Sequence, residues 1–450
     1  MKILYIDHYV GSVEHGMEFR PYYMAREWKK HGHEITMLGA DFSHLRTKNP
    51  VIHRSFEEET IDGIRYVWVK TNRYKGNGIG RVLNILTFVY KVRRRAKRLA
   101  ARYAPDAVIA SSTYPLDIYP ADKIAKAAGA RLIYEIHDLW PLVPMEFGGL
   151  SEKNPIIRVL QKAEDYAFGN ADAVVSCWPR ADLHMKERGF STDHFVYVPN
   201  GVIRAEGETR TSDAPQVALL AEKRKEGYFV TAYTGNHSPA NALEMFIDAA
   251  CLVKAPLAET PAAGTPLAET PPAGTPLAGT PPTGTPLAET PPTGTPYKGM
   301  IFVLVGSGND KEKLMAYAKE KHADNVLFLD PVPKKDMTAL LQQVDAAYMG
   351  LKRQNIFKYG ISPNKLYDYM LAARPVIFAV EAPNDPVTES GCGVTAVPDD
   401  PRSIADAVLH LASLTEEERQ AMGEKGRDYV LRYHDYPVLA KRFEDALTHA

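Results

Sequence analysis

Residues 300–329, MIFVLVGSGNDKEKLMAYAKEKHADNVLFL, decide the fold. The first six residues are apolar and predict a buried strand, which runs into the glycine turn 306–308. Residues 310–321 have the spacing of an amphipathic helix, and 326–329 form a second apolar strand. A helix that joins two buried strands is the connection that parallel sheets require. The stretch therefore predicts an α/β fold.

The same alternation continues on both sides of this stretch. Further strands are predicted at 2–6, 34–38, 63–69, 107–110, 131–136, 173–176, 229–233, 346–349 and 375–379. We therefore predict two facing doubly wound, Rossmann-like domains, residues 1–200 and 201–425, with a terminal helix at about 426–450 that packs back on the first. The cleft between them, at the carboxyl ends of the strands, is where such folds bind ligands.

The composition excludes several classes of protein. Lys and Arg number 54 and Asp and Glu 55, and the net charge of −1 argues against nucleic acid as a partner. The three distant cysteines, Cys177, Cys251 and Cys392, argue against a disulfide scaffold and a thiolate zinc site. Residues 1–6 are too short for a signal-peptide core, and no apolar run approaches the roughly 18 residues of a membrane span. We expect a cytoplasmic protein, at most peripheral on the inner face of the plasma membrane.

Residues 255–296 form an insert of four near-identical decapeptides and a remnant, beginning APLAETPAAG. They contain 12 of the 33 prolines and no aromatic residue. Because proline removes backbone donors and nothing here can build a core, we predict a disordered insert that favours polyproline II. A proline-rich docking site is the alternative, but basic or aromatic anchors are missing.

Two glycine turns are predicted at the ligand-binding edge of the second domain. Gly306, Ser307 and Gly308 lie between a strand and a helix, where main-chain amides can approach phosphate oxygens. Gly235 and Asn236 follow another strand in the same way. A plain tight turn explains each loop about as well, but two loops at one edge favour a diphosphate. The absence of a full GxGxxG and of a Walker lysine argues against NAD and ATP hydrolysis.

The stretch KYGISPNKLYDYM, residues 358–370, leads into another predicted helix. Ser362 is a typical N-cap and Pro363 a typical first helical residue, which leaves amides around Asn364 free for an anion. Lys365 and Asp368 are three residues apart and share a helix face. They form either a surface ion pair or, in the functional interpretation, a phosphate ligand and a ribose ligand.

The chain resembles the GT-B glycosyltransferases of the large retaining family four, especially the WbuB-like bacterial surface-polysaccharide members. The resemblance rests on HGMEFRPYYMAREWKKHGHEIT, YEIHDLWPL, ADAVVS, VPNGV, LVGSGND and SPNKLYDYMLAARPVI, and it covers nearly the whole chain except the insert. It implies a GT-B fold with a nucleoside-diphosphate sugar, usually UDP-linked, in the C-terminal domain and the acceptor mainly in the N-terminal domain. It implies no other cofactor, and because no Asp-x-Asp motif lies near the predicted site, no metal is required.

The resemblance also implies roles for single residues. The family's two glutamates, eight positions apart, correspond to Gly360 and Asp368, so only the ribose ligand has a carboxylate here. Lys365, helped by Lys358 or Arg353, is expected to supply the positive charge that other members place after the first strand of this domain. A lone His is usually structural, but family members place one at His137 to bind the donor sugar, and Asp138 would be the general base if the reaction inverts. Gly16 and Glu18 are candidates from their position in the loop after the first strand, where small residues allow close approach of the sugar diphosphate; a flexible crossover loop explains that loop equally well. The base is expected against the loop around Val332.

The predicted helix at 80–102 carries many cations and no acid. They are Lys91, Arg93, Arg94, Arg95, Lys97, Arg98 and Arg102. A solvated face is the ordinary explanation of such a run. Because the whole chain has a net charge of −1, we favour docking to an anionic membrane surface, where a polyprenyl-diphosphate-linked acceptor would lie. The docking residues would be Arg93, Arg94, Arg95, Lys97 and Arg98.

We therefore expect a hexosyltransferase-type enzyme that moves a sugar from a UDP-sugar to a glycan or lipid-linked acceptor in surface polysaccharide biosynthesis, with retention. In a retaining reaction the departing phosphate can take the acceptor's proton. Two alternatives stay open: a sugar-nucleotide epimerase or hydrolase of the same fold, and a protein that binds a nucleotide sugar without catalysis, as suggested by Gly360. A dehydrogenase would need a dinucleotide motif that the sequence lacks.

Overall fold

The structure is a computed structural model that describes residues 1–16, 19–76, 78–204, 212–253 and 297–448. These residues form two mostly parallel sheets, one after the other along the chain. The predicted α/β class with two parallel-sheet units is confirmed. The predicted disordered insert, 255–296, lies outside the described residues.

The first sheet has the strand order β3-β4-β2-β1-β5-β6-β7-β8 in the described chain. Its strands are β1 (Lys2–Ile6), β2 (Glu34–Ala40), β3 (Glu57–Ile61), β4 (Ile64–Val69), β5 (Ala107–Ala110), β6 (Arg131–Ile136), β7 (Ala173–Ser176) and β8 (Phe195–Tyr197). All pairs are parallel except the β3–β4 hairpin. Leu4 and Ile6 belong to one buried cluster and Ile3 and Tyr5 to another, so both faces of the sheet are covered.

The second sheet has the order β11-β10-β9-β12-β13-β14 in the described chain, and every pair is parallel. Its strands are β9 (Tyr228–Thr234), β10 (Gly299–Val305), β11 (Val326–Leu329), β12 (Ala346–Gly350), β13 (Val376–Ala379) and β14 (Gly393–Thr395). Because β9 is central, the turns that follow β9 and β10 lie side by side at the carboxyl edge.

Helices cover both sheets. The first unit has α1 (Phe19–Lys30), α2 (Ile79–Tyr103), α3 (Ile118–Ala128), α4 (Leu142–Glu146), α5 (Pro155–Asn170) and α6 (Ala181–Glu187). The second has α7 (Pro215–Lys225), α8 (Leu243–Leu252), α9 (Lys311–Glu320), α10 (Lys334–Leu341), α11 (Asn364–Leu371), α12 (Pro386–Ser390), α13 (Pro401–Ser413) and α14 (Glu416–Tyr433), and α15 (Tyr436–Thr448) ends the described chain.

The sequence prediction missed several short elements, among them β3, β8, β14 and α7. Strand β3 reads EEETI, with exposed and partly buried residues alternating, so no apolar run marks it. It pairs antiparallel with β4 at the sheet edge, where one side faces water. The predicted single terminal helix is wrong in detail, because two helices, α14 and α15, follow α13.

The C-terminal helix α15 packs on the first unit. Trp28 of α1 donates its indole N–H to the carbonyl of Ala440 at 3.1 Å, and its ring lies 5.0 Å from that of Phe443. The linker between the units is fixed at Asn200, whose main-chain amide donates to the hydroxyl of Ser362 at 2.9 Å. The chain passes between the two units twice, at the linker around Asn200 and again before α15. Each passage is fixed by contacts with the other part of the protein.

Candidate functional site

The two predicted glycine turns meet at the carboxyl edge of the second sheet. The amide of Gly235, just after β9, donates to the carbonyl of Val305 at 2.9 Å. Gly306 has a φ of +151°, and a Cβ there would lie 1.9 Å from the Gly235 carbonyl oxygen. A Cβ on Gly308, at φ +157°, would lie 2.3 Å from the carbonyl oxygen of His237. Glycine is required at both positions because a side chain would push the two turns apart.

These turns present main-chain donors without acceptors. Among the described residues, the amides of Asn236, Ser307, Gly308 and Asn309 donate no hydrogen bond. Successive free N–H groups at a strand end form a concavity suited to an anion. The close packing of the two glycine turns leaves these amides without acceptors. It is therefore compatible with the binding of an anion.

Lys365 lies in the first turn of α11 and reaches these turns. Its Cε is 3.4 Å from where a Cβ on Gly235 would be. Its Nζ donates to the hydroxyl of Tyr233 and to Oδ1 of Asn241, each at 2.7 Å. No carboxylate of the described residues pairs with it, and burial lowers the pKa of Lys365 from 10.5 to about 7. An anion bound at the turns would supply the missing counter-charge.

The surface ion pair between Lys365 and Asp368 does not exist. Both oxygens of Asp368 accept instead from Nζ of Lys334, at 2.6 Å. Helical spacing allowed the predicted pair, but the amine of Lys365 turns inward to its two oxygen acceptors. Lys334 opens α10 two residues after Val332, which packs partly buried against the core. Val332, the residue expected against the base, therefore lies two positions before the ion-pair partner of Asp368, the residue expected to bind the ribose.

Ser362 is not the N-cap that the sequence predicted. Helix α11 begins at Asn364, and the residue at the N-cap, Pro363, makes no side-chain cap. The hydroxyl of Ser362 accepts the amide of Asn200 in the linker, so it is unavailable to the helix. The amides of Asn364 and Lys365 donate no hydrogen bond within the described chain, which keeps them available to an anion.

The two expected helpers of Lys365 are engaged elsewhere. Nζ of Lys358 lies 3.0 Å from the carboxylate of Glu187 in the first unit. Nε of Arg353 lies 2.9 Å from the carboxylate of Glu381. Each cation has a carboxylate partner in this structure, and a role for either beside Lys365 stays a prediction.

Gly360, which stands where the family has its first glutamate, packs against the first unit. Its φ is +92°, and a Cβ there would lie 2.2 Å from Cγ of Pro179 and 2.8 Å from Oδ1 of Asn384. The neighbouring amide of Arg180 donates to the carbonyl of Tyr359 at 2.9 Å. The space for a glutamate side chain is therefore occupied by the contact between the two units.

Two residues at these turns escaped the sequence analysis. Nζ of Lys311 donates to the carbonyl of Gly306 at 3.1 Å and lies 2.8 Å from Asp330. His237 is fully buried, and within the described chain neither ring nitrogen has a hydrogen-bond partner. Burial, together with Lys311 and Lys365, lowers the pKa of His237 to about 4. Only their positions next to the two glycine turns could have drawn attention to them.

His137 lies at the carboxyl end of β6 in the first unit. Its Nε2 is 2.7 Å from the hydroxyl of Ser111 and 3.4 Å from the carboxylate of Glu135. Glu135 is fully buried and forms an ion pair with Arg20 at 2.7 Å. Burial by itself would lower the pKa of His137, but Glu135 more than offsets this and holds it above its usual value. The sequence signal for this cluster is a charged residue, Glu135, within the apolar strand RLIYEI.

Two carboxylates lie near His137. Asp138 is half-buried, its side chain has no hydrogen-bond partner among the described residues, and burial raises its pKa. Asp7, just after β1, accepts the amide of Tyr9, and burial raises the pKa of Asp7 to about 6. Both shifts have the same cause, because burial disfavours the charged form of a carboxyl group.

The loop after β1 contains Gly16, whose amide donates to the carbonyl of Ser12 at 2.9 Å. Its φ is +75°, and a Cβ would lie 2.0 Å from Oγ1 of Thr47. Loop packing therefore accounts for the glycine, and a ligand contact stays a prediction. Glu18, the other predicted residue of this loop, lies outside the described residues.

The cations of α2 do not share one face. Arg93, Arg94, Lys97 and Arg98 are exposed. Arg95 is exposed as well, but its guanidinium lies 4.4 Å above the ring of Phe56 on the flank near β3. The predicted membrane-facing set therefore separates into two groups.

Metal and membrane features are missing from the part of the chain that the structure describes. It contains no group of three His, Cys, Asp or Glu side chains arranged to hold a metal ion. None of its helices has the length and apolarity needed to cross a bilayer. The three cysteines are free thiols, and Cys177 and Cys392 are buried.

Comparison with known proteins settles the family. Residues 15–201 match the family model described as "Glycosyl transferase 4-like domain", and residues 293–413 match "Glycosyl transferases group 1". Together they cover more than half of the chain. The chain belongs to the GT4-like glycosyltransferases.

This glycosyltransferase is similar to the probable glycosyltransferase WbjE of Pseudomonas aeruginosa, with 20% identity over 390 residues, 85% of this chain and 84% of WbjE. The predicted family and enzyme class are confirmed, and the WbuB-like subgroup stays a prediction.

Solved structures of other proteins share the fold. The sucrose-phosphate synthase of Thermosynechococcus elongatus superposes with a TM-score of 0.66 at 13% identity, over 99% of this chain and 98% of that one. HepE of Anabaena, in complex with UDP and glucose, superposes with a TM-score of 0.62 at 13% identity, over 100% of this chain and 99% of that one. The predicted GT-B fold is confirmed.

Proposed function

We propose that this glycosyltransferase moves a hexosyl group from a UDP-sugar to a glycan or lipid-linked acceptor in surface polysaccharide biosynthesis, with retention of configuration. The observation that carries the proposal is the buried amine of Lys365, without a carboxylate partner, beside two turns of unused amides. A charged group buried without a partner is unfavourable, and a diphosphate would make it favourable. The UDP bound in HepE supports a UDP-linked donor.

The donor lies along the carboxyl edge of the second sheet. Its diphosphate accepts from the amides at 307–309, from the first turn of α11 and from Lys365. The ribose hydroxyls donate to Asp368, and the base rests against Val332. Asp368 has to be released by Lys334, whose side chain is 55% exposed and can turn into solvent. An exposed ion pair of this kind is worth at most about 1 kcal/mol. Replacing Lys334 by the ribose hydroxyls as the partner of Asp368 therefore costs little free energy.

The transfer step needs the first unit over the sugar. Closure of the two units brings His137 and the 11–16 loop to the donor, and the ring of His137 hydrogen-bonds a sugar hydroxyl. The bond from the anomeric carbon to the phosphate oxygen breaks, and its electron pair stays on the diphosphate, which Lys365 and the amides stabilise. The acceptor oxygen bonds to the anomeric carbon on the same face and passes its proton to the leaving phosphate. In an inverting reaction Asp138 would take that proton instead.

The acceptor is placed in the first unit, and no metal or further cofactor is invoked. The exposed cations of α2 support a peripheral site of action at the inner face of the plasma membrane, where a polyprenyl-diphosphate-linked glycan is accessible. Nucleic acid is not proposed as a partner, because the net charge is −1.

A second candidate function is nucleotide-sugar binding without transfer. It is favoured by Gly360, since Pro179 occupies the space in which family members hold their first glutamate. It predicts that UDP raises the melting temperature while no sugar is transferred to any acceptor. An epimerase or hydrolase of the same fold would instead convert the donor without an acceptor.

The decisive test replaces Lys365 by Ala and measures transfer together with UDP-induced stabilisation. Removing one preorganised donor to a developing anion lowers turnover by about 10²–10³-fold. The control is Lys319→Ala, because Lys319 is an exposed lysine on α9. Both variants should melt within a few degrees of the parent protein. Near-normal transfer by the Lys365 variant would remove this residue from the site, and failure of UDP, GDP and dTDP to stabilise the parent would end the proposal.

A further inference from the structure

Glu135 is a carboxylate buried inside the first sheet. It lies near the end of β6, and its side chain is fully buried. Burial alone would raise its pKa, but the guanidinium of Arg20 and the ring of His137 more than offset this and hold the pKa of Glu135 well below its usual range. Replacing a buried ion pair by apolar side chains is often neutral or stabilising, so stability alone does not explain a carboxylate at this position.

The two oxygens of Glu135 have different partners. Oε1 accepts from Nε of Arg20 at 2.7 Å. Oε2 accepts from the hydroxyl of Ser111 at 2.6 Å and from the hydroxyl of Tyr5, and these two hydroxyl oxygens lie 2.7 Å apart. An ionised carboxylate has no proton of its own, so this triangle of three oxygens contains two protons. Both are needed to hold the triangle together, and neither is left for a group outside it.

The proton count fixes the tautomer of His137. Its Nε2 lies 2.7 Å from the hydroxyl oxygen of Ser111 and 3.4 Å from Oε2 of Glu135. Because the proton of Ser111 is used inside the triangle, its oxygen can only accept from the ring, and Nε2 has to carry a proton. Nδ1 has no hydrogen-bond partner in the described chain and is not among its buried polar atoms. With 18% of the side chain exposed, Nδ1 is the nitrogen that a ligand can reach.

The main chain at His137 is fixed as well. Its carbonyl accepts the indole N–H of Trp178 at 3.0 Å and the thiol of Cys177 at 3.3 Å. Asp7 and Asp138 are the other carboxylates close to the ring, and within the described residues neither hydrogen-bonds a ring nitrogen. The backbone and one ring nitrogen are therefore both held, and no second carboxylate competes for the ring.

We propose that Glu135 and Ser111 are positioning residues that hold His137 with Nε2–H turned into the sheet and present Nδ1 to the donor sugar. The proposal rests on the proposed function, in which His137 hydrogen-bonds a sugar hydroxyl, and it adds the residues that orient the ring. A neutral ring held in this way accepts a hydrogen bond at Nδ1, and a charged ring donates one from the same atom. The ring keeps one orientation in both forms, because Nε2 carries a proton in each.

The test uses Ser111→Ala, which removes the bridging hydroxyl and leaves the buried ion pair of Glu135 intact. The matched control is Ser112→Ala. Ser112 is also buried at the end of β5, but its hydroxyl accepts the main-chain amide of His8 at 3.0 Å instead of the ring of His137. Both variants should melt within a few degrees of the parent protein, since each loses a single hydroxyl group.

The first measurement determines the tautomer of His137 by NMR of the full-length protein with isotope-labelled histidines, and His137→Gln assigns its signals. Above the pKa of the ring, the parent protein should have a proton on Nε2 and none on Nδ1. Ser111→Ala should shift the Nε2 resonance, because the variant removes the acceptor, and Ser112→Ala should leave it in place. A proton on Nδ1 of the neutral parent ring, or an Nε2 resonance that ignores Ser111→Ala, would overturn the proposal.

The second measurement is a double-mutant cycle on kcat/KM for sugar transfer. Ser111→Ala should lower kcat/KM by roughly 10- to 100-fold, because a ring displaced by about 1 Å no longer meets the sugar. In the His137→Ala background the same substitution should change kcat/KM by less than about twofold, since no ring is left to orient. Ser112→Ala should stay within about twofold of the parent in either background.

A residue that only supports the fold gives a different pattern. Equal losses from Ser111→Ala with and without the ring of His137 would show that it does not act through that ring, and would overturn the proposal. A parent protein that is stabilised by UDP but transfers no sugar would refute the proposed function and the positioning role together. The tautomer distinguishes the two failures, because it depends on the hydrogen bonds around Ser111 and not on transfer.

Discussion

Donor binding by this glycosyltransferase should weaken as the pH rises above 7, because the amine of Lys365 has to gain a proton when the diphosphate arrives. In the free protein, burial lowers the pKa of Lys365 to about 7. A diphosphate next to Nζ favours the charged form and raises that pKa again. Binding then takes up a proton wherever the free amine is neutral and the bound amine is charged. Proton uptake makes low pH favourable for binding.

The size of the effect follows from the pKa of Lys365 in the protein without ligand. Below pH 7 the amine is already charged, so the affinity should be nearly independent of pH. Above pH 7 the dissociation constant should rise about tenfold per pH unit, equal to about 1.4 kcal/mol per unit, until the pKa of the bound state is reached. Neighbouring His237 does not add to the slope, because its pKa of about 4 lies well below this range.

Calorimetry with a UDP-sugar between pH 6.5 and 8.5, in buffers of different ionisation enthalpy, measures the affinity and the number of protons taken up. The parent should take up close to one proton at pH 8.5 and few at pH 6.5. Lys365→Arg keeps its charge throughout, so its affinity should not depend on pH. The reasoning is refuted if the parent shows a flat profile, or if the Arg variant has the same slope as the parent.

Two further predictions concern the packing around the site. Gly360→Ala places a Cβ 2.2 Å from Cγ of Pro179, and the contact between the two units should lose about 1–3 kcal/mol in urea unfolding; a parent-like midpoint would show that the loop can yield. Glu135→Gln leaves the guanidinium of Arg20 buried without its partner and should lower the free energy of unfolding by about 3–5 kcal/mol, whereas Glu34→Gln, at the surface, should lower it by less than about 1 kcal/mol. Comparable losses from both Gln variants would contradict the structure.

Long apolar strands and amphipathic helices were predictable from sequence. Strand β6 has the predicted bounds and helix α9 lies within one residue of its predicted bounds, because each is marked by its own hydrophobic period. Strand β3 was not predictable in this way, since three carboxylates occupy a strand that has one face in water. The short strand β8 depends on pairing with β7 for its existence, and a contact between distant segments leaves no local pattern.

The site was predictable as a set of loops but not as a set of contacts. The glycine turns and Lys365 were identified because strand ends converge at one edge of a parallel sheet. The loss of the Ser362 cap to Asn200, and the pairing of Asp368 with Lys334, depend on residues at least 34 positions away in the chain. Capping and i, i+3 spacing relate residues that are within about one helical turn of each other. They therefore cannot predict that Ser362 bonds Asn200 or that Asp368 pairs with Lys334.

The point at which the decapeptide repeats join the fold has an evolutionary consequence. They enter between α8 and β10, and β10 begins at the amino-terminal edge of its sheet. The glycine turns lie at the other end of that seven-residue strand, about 20 Å away. Copies gained or lost during replication would change the length of the polypeptide without displacing the residues of the proposed donor site. Catalysis at the proposed donor site would therefore place little constraint on the number of repeats.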